Sequence, residues 1–384
     1  MKIAQIAPII ESVPPEKYGG TERVISTLTE ELVKRGHEVT LFASGDSKTS
    51  ARLLSIYHSS LRKANIENMY GHNIWSLLNV GLAYQLQDEF DIIHDHNSQN
   101  NPVSLPLANI AKVPVVMTLH GALTNGYNKA FEFYRKPYLV TVSKKQAEPA
   151  PNLHYIGNVY HGINMHSYPF YQENDGYLLF VGRVRVEHGV EVKGLHHAID
   201  IAETTNMPLI IAAKIDTSFE EDVRYFNQVI KPRLSSKIRW IGEVDETTRN
   251  TLMSRAFCTL HTINFAEPFG LTLIEAMACG SPVIGFDRGS IPEIIQHGKT
   301  GFVVKNTYEA INALKNIGTI DRLCCRSYVK ENFSAEKMAE AYEKIYYKVA
   351  KKTIFKRIPK TIMQSSTANI HSIRKTITKV FADL

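Results

Sequence analysis

Glu267-Pro-Phe-Gly-Leu-Thr-Leu-Ile-Glu275 is the stretch that says most about the fold, and it runs into Ala-Met-Ala-Cys-Gly280-Ser-Pro-Val-Ile. Two carboxylates bracket a Phe-Gly-Leu turn that opens a short helix, which Gly280 ends. The glycine of the turn lets a ligand approach the backbone, and the first N–H groups of the helix can bind an anion. Ionised glutamates accept hydrogen bonds from sugar or ribose hydroxyls. An anion site between two such acceptors is what a nucleotide sugar requires.

The same segment also has a purely structural interpretation. Thr272-x-x-Glu275 fits a capping box, in which Glu275 would be a helix cap and would hold no ligand. Two glutamates at this separation also occur by chance in many proteins. The segment alone therefore leaves both interpretations open.

Composition favours a globular protein of more than one domain. The chain has 384 residues, of which 44% are hydrophobic and 21% charged. No run approaches the roughly 18 apolar residues needed to span a membrane. The N-terminal Lys2-Ile-Ala-Gln-Ile-Ala-Pro is typical of a first strand and not of a signal peptide.

Charge and cysteine content indicate which partners and which cellular compartment to expect. The net charge of +6 is modest, and since no nucleic-acid motif is present, no nucleic-acid partner is expected. The cysteines form no Cys-x-x-Cys, and the adjacent pair Cys324 and Cys325 is a poor candidate for a disulfide. We therefore expect reduced thiols and a cytoplasmic protein.

Strand-like and helix-like segments alternate along the chain, which predicts parallel sheets built from βαβ units. A helix is expected over residues 21–35, with Thr21 as its N-cap. The polar stretch 168–176 carries Pro169 and is the predicted domain boundary. Strands are expected over residues 3–7, 38–43, 91–94, 113–118, 138–142 and 159–161, and then over 177–182, 208–213, 238–241, 258–261 and 282–286. Further helices are expected over 195–204, 247–256 and from about 335.

Several segments, in the expected order, resemble the retaining glycosyltransferases of family 4, which are of the glycosyltransferase group 1 type. They are the segment that begins at Glu267, Tyr18-Gly-Gly-Thr-Glu-Arg-Val and Arg288-Gly-Ser-Ile-Pro-Glu-Ile-Ile. The resemblance runs from Met1 to about Tyr346. It implies an α/β fold of GT-B architecture, with two Rossmann-like domains facing each other across a cleft.

The resemblance also implies a division of labour between domains. Residues 1–170 would bind the acceptor, residues 171–346 would bind the nucleotide sugar, and the final helix would cross back to the first domain. Residues 347–384 form a basic tail outside the resemblance. The implied enzyme is of hexosyltransferase type: it moves a sugar from a UDP- or GDP-linked donor to a saccharide or lipid-linked acceptor, without cofactor, metal or covalent nucleophile.

Other activities on the same fold remain open at this point. They are a sugar phosphorylase, a nucleotide-sugar hydrolase and a non-catalytic nucleotide-sugar-binding protein. An oxidoreductase is disfavoured because the Gly-x-Gly-x-x-Gly fingerprint is absent.

Cations and backbone groups are expected to meet the diphosphate. The resemblance places Gly19 and Gly20 beside the phosphates, and it gives Arg183 and Lys193 the role of stabilising the departing diphosphate. The spacing departs from the family pattern, because the lysine usually follows the arginine by about five residues, where this chain has His188. We place an insertion of roughly five residues here, since the helix after Lys193 matches the family better.

The remaining predicted site residues surround the sugar and the nucleoside. By resemblance, Glu267 would hold the transferred sugar and Glu275 the donor ribose. His120, in Met117-Thr-Leu-His-Gly, follows a strand and would donate a hydrogen bond to a sugar hydroxyl. The other expected donor-binding residues are Lys214 and the backbone of Phe269, Gly270 and Leu271.

Two further features carry weaker hypotheses. His94 and His96 alternate on a strand and could chelate a metal, but no further ligands are apparent and the family uses none here. The segment 351–384 carries eight basic residues against one acid, Asp383, interleaved with apolar residues. It could contact an anionic membrane at the inner face, and a solvated disordered tail is the equal alternative.

Overall fold

The computed structural model describes residues 1–17, 19–66, 69–97 and 104–357. These residues form two parallel sheets with helices on both faces, together with a small hairpin. The α/β fold class is the one the sequence predicts.

The first sheet holds seven strands within the described residues, in the order β3-β2-β1-β4-β5-β6-β7. Its interior strand β1 is almost entirely buried, which is typical of a parallel strand covered on both faces. The strands are β1 Lys2–Ile6, β2 Glu38–Phe42, β3 Arg52–Leu54, β4 Ile92–Asp95, β5 Val115–Leu119, β6 Tyr138–Thr141 and β7 Tyr155–Asn158. The helices between them are α1 Gly20–Lys34, α2 Met69–Gln85, α3 Ser104–Ile110 and α4 Asn125–Phe133.

The second sheet holds six strands within the described residues, in the order β12-β11-β8-β13-β14-β15. Its strands are β8 Leu178–Val184, β11 Leu209–Ile215, β12 Ile238–Trp240, β13 Cys258–His261, β14 Val283–Phe286 and β15 Gly301–Val304, while β9 Val186–Glu187 and β10 Val190–Glu191 form an antiparallel hairpin. The helices are α5 Leu195–Thr205, α6 Glu220–Tyr225, α7 Glu246–Arg255, α8 Leu271–Ala278, α9 Ile291–Ile294, α10 Thr307–Ile317, α11 Arg322–Asn332 and α12 Ala335–Arg357.

The long helix α12 returns from the second sheet to the first. Tyr342 and Tyr346 are fully buried there, and the Tyr346 hydroxyl lies 2.6 Å from Nδ1 of His94. The same helix packs on α1, where Arg35 contacts Glu343 at 2.8 Å. A core cluster shared by β1, β5 and α12 therefore fixes the end of the chain to the first sheet.

Several predicted boundaries are wrong in detail. Residues 159–161 lie outside the strands, because the last strand of the first sheet ends at Asn158. Helix α1 begins at Gly20, and Gly19, not Thr21, is its N-cap; a Cβ at Gly19 would come within 2.7 Å of Pro15. The first part of the predicted tail, residues 347–357, is helical, because α12 continues to Arg357. Residues 358–384 lie outside the described residues. The domain bounds at 170 and 346 stay predictions.

Among the described residues, no helix is both long and apolar enough to cross a membrane.

Candidate functional site

The carboxyl ends of the two sheets face each other across a cavity of about 450 Å³. Parallel α/β sheets bind ligands at this edge. Every predicted site residue lines the cavity: Gly19, Gly20, His120, Arg183, Lys193, Lys214, Glu267, Phe269, Gly270, Leu271 and Glu275. We call Arg183, Lys193 and the segment from Glu267 to Glu275 the C-terminal wall of the cavity. The N-terminal wall means Gly19, Gly20, Glu22, His120 and His161.

Glu267 and Lys193 form an ion pair on the C-terminal wall. Nζ of Lys193 lies 3.4 Å from Oε2 of Glu267, and Nε2 of His261 lies 3.7 Å from the same oxygen. Burial raises the pKa of Glu267, but the charges of Lys193 and His261 outweigh it and bring that pKa to about 2. The carboxylate is therefore ionised at any working pH and acts as a hydrogen-bond acceptor.

The turn after Glu267 presents backbone donors to the cavity. Gly270 has φ of 83° and is the N-cap of α8, and no side chain caps this helix end. Any other residue at Gly270 would be strained, because φ is positive and a Cβ there would lie 2.9 Å from the Leu273 side chain. The first N–H groups of α8 have no intrahelical partner and point toward the cavity end of the helix.

The segment from Arg288 supports this turn from behind. The backbone N–H of Ser290 donates to the carbonyl of Glu267 at 2.9 Å, and its hydroxyl donates to the carbonyl of Phe269 at 2.8 Å. Gly289 has φ of 58°, and a Cβ there would lie 2.3 Å from the carbonyl oxygen of Glu267. The Arg-Gly-Ser motif thus fixes the position of the turn, and its residues do not line the cavity.

Glu275 is held by two donors on one oxygen. The Tyr168 hydroxyl donates to Oε1 at 3.1 Å, and Nη2 of Arg249 lies 3.0 Å from the same atom. Glu275 is buried on α8, yet it lines the cavity. The capping-box alternative is wrong, because Gly270 is the N-cap and the Glu275 carboxylate faces Tyr168 and Arg249.

Arg183 and Lys214 lie side by side at the ends of β8 and β11, where they are register partners. Both are in strands, so β8 runs beyond the predicted Gly182 to Val184. Nζ of Lys214 lies 3.9 Å from Glu243 on the neighbouring loop. The pair puts two cations at the same edge of the sheet.

The insertion between Arg183 and Lys193 is the hairpin of β9 and β10. His188 lies in its exposed turn, with φ of 51°, and does not line the cavity. Glu191 folds back from β10, and its carboxylate accepts hydrogen bonds from the backbone N–H groups of Lys193 at 2.9 Å and Leu195 at 3.1 Å. The hairpin therefore fixes the start of α5 and delivers Lys193, not His188, to the cavity.

His120 belongs to a buried chain of histidines. Oε1 of Gln5 only accepts, so Nε2 of His96 carries the proton, and its Nδ1 accepts from Nε2 of His120 at 2.9 Å. Nδ1 of His120 then has a lone pair and, among the described residues, no hydrogen-bond partner. Burial lowers the pKa of His120 to about 3. Nδ1 is thus the acceptor nitrogen of His120, and the N–H at Nε2 is already used by His96, so the donor that the sequence analysis expected is not available to a sugar hydroxyl.

His94 and His96 have structural partners. His94 contacts the hydroxyls of Tyr346 at 2.6 Å and Thr118 at 2.7 Å through its two ring nitrogens. Burial holds the pKa of both histidines well below the usual value. Within the described ranges, no group of three or more His, Cys, Asp or Glu side chains could hold a metal.

Glu22 on α1 is a site residue that the sequence analysis missed. It lines the cavity but is buried, and burial raises its pKa to about 7. Gly20, two residues earlier, faces Leu271 of the opposite wall, where a Cβ would lie 3.4 Å from the leucine. Glu22 lies in the Gly-Gly-Thr-Glu motif, three residues after Gly19. At the start of a helix this spacing puts both residues on one face, and that was the signal that could have identified Glu22.

His161, Tyr168 and Arg249 were also missed. The His161 ring stacks on His120 with centroids 5.2 Å apart and contacts Phe269 of the other wall at 4.9 Å. No motif marks these residues, because each reaches the site through the packing of the two sheets.

Two family models match the chain in succession. The model described as Glycosyltransferase Family 4 matches residues 18–148, and the model described as Glycosyl transferases group 1 matches residues 168–319. The chain belongs to the group 1, family 4 glycosyltransferases. As a member of this family it is a transferase with two Rossmann-like domains in the GT-B arrangement.

Curated relatives of this glycosyltransferase align along most of their length. The N-acetyl-alpha-D-glucosaminyl L-malate synthase of Bacillus anthracis is 26% identical, with 86% of this chain and 94% of that protein covered. The phosphatidyl-myo-inositol mannosyltransferase of Mycobacterium tuberculosis is 24% identical, with 79% of this chain and 82% of that protein covered.

Solved structures share the fold of this glycosyltransferase. The sucrose-phosphate synthase of Thermosynechococcus elongatus superposes with a TM-score of 0.72 at 17% identity, covering 92% of this chain and all of that chain (100%). HepE of Anabaena, crystallised with UDP-glucose, superposes with a TM-score of 0.67 at 18% identity, covering 91% and 100%.

Proposed function

We propose that this glycosyltransferase moves a hexosyl group from a UDP- or GDP-linked donor to a hydroxyl of an acceptor bound at the N-terminal wall, with retention of anomeric configuration. The observation that carries the proposal is the meeting of three groups at one end of the cavity. These are the Lys193 ammonium, the ionised Glu267 carboxylate and the N-terminus of α8. Together they offer a cation for phosphate, an acceptor for sugar hydroxyls and backbone donors.

The diphosphate would lie between the walls. Arg183 and Lys193 approach it from the C-terminal wall, and the backbone at Gly19 and Gly20 approaches from the opposite side. Arginine offers a fork of donors and lysine a point charge, and both suit phosphate oxygens. Lys214 extends this basic edge.

The nucleoside and the sugar would take the two ends of the nine-residue motif. Glu275 would accept from the ribose hydroxyls through Oε2, since its known partners use Oε1. Glu267 and the N–H groups of residues 269–271 would hold the sugar, and Nδ1 of His120 would accept from a sugar hydroxyl on the far side. The base preference is left as uridine or guanosine; HepE binds UDP-glucose.

The proposed reaction needs no enzyme nucleophile. The bond between the anomeric carbon and the diphosphate oxygen breaks, and the acceptor oxygen bonds to the same face of that carbon. The acceptor proton passes to the departing diphosphate. Arg183 and Lys193 stabilise the charge that develops on the leaving group, where fixed charges contribute most.

We also propose that transfer needs no divalent metal, because these fixed cations meet the diphosphate charge. Turnover should survive excess chelator. Loss of turnover in chelator, with recovery on adding back one metal, would contradict this part of the proposal.

A cytoplasmic setting is proposed from the cysteines, which are all unpaired in the described residues. The basic tail is proposed to contact an anionic membrane surface. Each basic residue near such a surface adds at most about 1 kcal/mol. Co-sedimentation of full-length and 1–350 protein with anionic vesicles tests this, since the truncation removes all eight basic residues of the segment 351–384, and equal binding of both would remove the idea.

The main experiment supplies UDP- and GDP-sugars with a panel of saccharide and lipid-linked acceptors. We expect nucleoside diphosphate to be released only when an acceptor is present, and the new linkage to keep the donor's anomeric configuration in NMR spectra. Release without acceptor would indicate a hydrolase, and release on adding inorganic phosphate a phosphorylase. Binding without turnover would favour a sensor.

A further inference from the structure

A chain of charged side chains links Glu275 to the N-terminal domain. Nη2 of Arg249 lies 3.0 Å from Oε1 of Glu275 and 3.8 Å from Oε1 of Glu246, at the start of α7. Oε2 of Glu246 contacts Nη1 of Arg23 on α1, in the other domain. Nη2 of Arg23 in turn donates to the carbonyl of Lys17 at 3.0 Å, just before the Gly19-Gly20 loop.

The guanidinium of Arg249 is held back from Glu275. It makes a single contact with that carboxylate, although a fork of two hydrogen bonds is the stronger geometry for an arginine and a carboxylate. Its Nε and Nη2 instead contact Oδ1 of Asn250 at 3.1 and 3.0 Å, and Glu246 attracts it from the other side. These acceptors keep Arg249 off the second oxygen of Glu275.

The second oxygen of Glu275 is what a ribose would use. Among the described residues, the hydrogen bonds and ion pairs of the Glu275 carboxylate all fall on Oε1, from Tyr168 and Arg249. Glu275 lines the cavity, whereas Glu246 does not. Glu246 therefore cannot act by touching the ligand and can act only through its neighbours.

We propose that Glu246, held by Arg23 of the opposite domain, is a positioning residue that keeps Arg249 on one oxygen of Glu275 and leaves the other oxygen for the ribose hydroxyls of the donor. The proposal rests on the proposed function, in which Glu275 binds ribose. The physical reason is charge. Without Glu246, the buried Arg249 has one carboxylate partner left and moves onto both of its oxygens.

The link also makes ribose recognition depend on both domains. Glu246 is about one-third exposed, with a side-chain exposure of 36%, so its position is not set by packing alone. Arg23 is nearly buried, at 11%, and its charge anchors Glu246 from the acceptor side. Removing Arg23 should therefore also weaken binding of the ribose, by a smaller factor than removing Glu246.

The test uses the full-length protein and a ribose-specific readout. Dissociation constants are measured for UDP and 2′,3′-dideoxy-UDP, or for the guanosine pair if GDP binds more tightly. For Glu246→Gln we expect about five- to tenfold weaker UDP binding, within the range of coupling between contacting residues, while dideoxy-UDP binding changes less than about twofold. Arg23→Gln should show the same pattern at about threefold, with no further loss in the double variant.

A matched control breaks another contact between the domains. Nη1 of Arg62 lies 3.5 Å from Asp216, which does not line the cavity and has no link to Glu275. Asp216→Asn should leave the ratio of the two dissociation constants unchanged. If Glu246→Gln weakens both ligands equally, or neither, the positioning role is wrong.

Glu275→Gln distinguishes the positioning role of Glu246 from the proposal that Glu275 binds the ribose. The variant should lose the preference for UDP over dideoxy-UDP. If it keeps that preference, the ribose assignment of Glu275 fails, and the positioning role falls with it. If Glu275→Gln loses the preference while Glu246→Gln keeps it, the positioning role alone is overturned.

Discussion

The two walls of the cavity differ in the ionisation state of their side chains. On the C-terminal wall, Lys193 keeps Glu267 ionised, with a pKa of about 2. On the N-terminal wall, burial favours the neutral forms: it lowers the pKa of His120 to about 3 and raises that of Glu22 to about 7. Fixed charges suit a diphosphate whose charge grows during reaction. The neutral groups of the N-terminal wall suit an acceptor that presents hydroxyls, and the charged side chains of Lys17, Arg23 and Arg62 line the cavity beside them.

The largest effect should come from the charge on the C-terminal wall. Lys193→Met should lower kcat by about 10²–10³, because a fixed charge at the leaving group contributes ~3–4 kcal/mol. His188→Gln is the matched control, since His188 lies in the exposed hairpin turn, and it should change kcat less than about threefold. Steady-state kinetics of the two variants decide. A crippling effect of His188→Gln would give the histidine the role assigned to Lys193.

The two glutamates of the motif should separate in kinetics. Glu275→Gln should raise the donor KM by about tenfold, since a hydrogen bond to a charged group contributes ~1.5–3 kcal/mol and the ribose is bound alike before and during reaction. Glu267→Gln should mainly lower kcat, because the sugar changes shape and charge at the barrier. Equal effects of both variants on KM and kcat would show that the two ends of the motif are not divided in this way.

Glu22 tests whether the N-terminal wall is neutral. A carboxyl whose pKa is about 7 in the folded protein, against an ordinary value of 4.5, makes the protein less stable as pH rises from about 4.5 to about 7, because the unfolded chain ionises first. Glu22→Gln should remove this loss and gain about 3 kcal/mol at pH 8, since each pH unit between the two pKa values corresponds to about 1.4 kcal/mol. Thermal unfolding of both proteins from pH 4.5 to 8 measures it. A wild-type curve parallel to that of the variant would mean that Glu22 is already ionised.

The smallest effect should come from His120. In the proposed site its Nδ1 would accept one neutral hydrogen bond from the sugar, and removal of such a bond costs ~1 kcal/mol, or about fivefold in kcat. His120→Phe keeps an aromatic ring against His161 and removes the Nδ1 acceptor, and it also removes the N–H that donates to Nδ1 of His96. The pH dependence of kcat near pH 6–7 should be unchanged in the variant, because a histidine with a pKa of about 3 does not titrate there. If the wild type shows a change in kcat near pH 6–7 that the variant lacks, His120 titrates there and the prediction is wrong.

The sequence predicted most of the C-terminal wall. Glu267, Gly270 and Glu275 lie in one contiguous motif, so their relative positions follow from a turn and a helix start. Lys193 was found despite an unusual spacing, because the helix after it kept its pattern. The alternation of strands and helices likewise indicated two parallel sheets, but the edge strands β3 and β15 were not predicted, and residues 159–161 were predicted as a strand in place of β7.

The N-terminal wall and the supporting contacts could not be predicted in the same way. His161 follows β7 and reaches His120 only because β5, β6 and β7 are neighbours in the sheet. Arg249 lies in the middle of α7 and meets Glu275 through helix packing. The tautomer of His120 depends on Gln5, more than a hundred residues away, so the sequence suggested a donor where the structure leaves an acceptor.

The central claim is that Lys193 acts on the departing diphosphate and is not merely the partner of Glu267. The most direct test is a double-mutant cycle on kcat with Lys193→Met, Glu267→Gln and both together. If the lysine stabilises the leaving group, Lys193→Met should still lower kcat by at least about tenfold in the Glu267→Gln background. If the double variant is no slower than Glu267→Gln alone, or recovers activity, Lys193 only neutralises the glutamate and the account is contradicted.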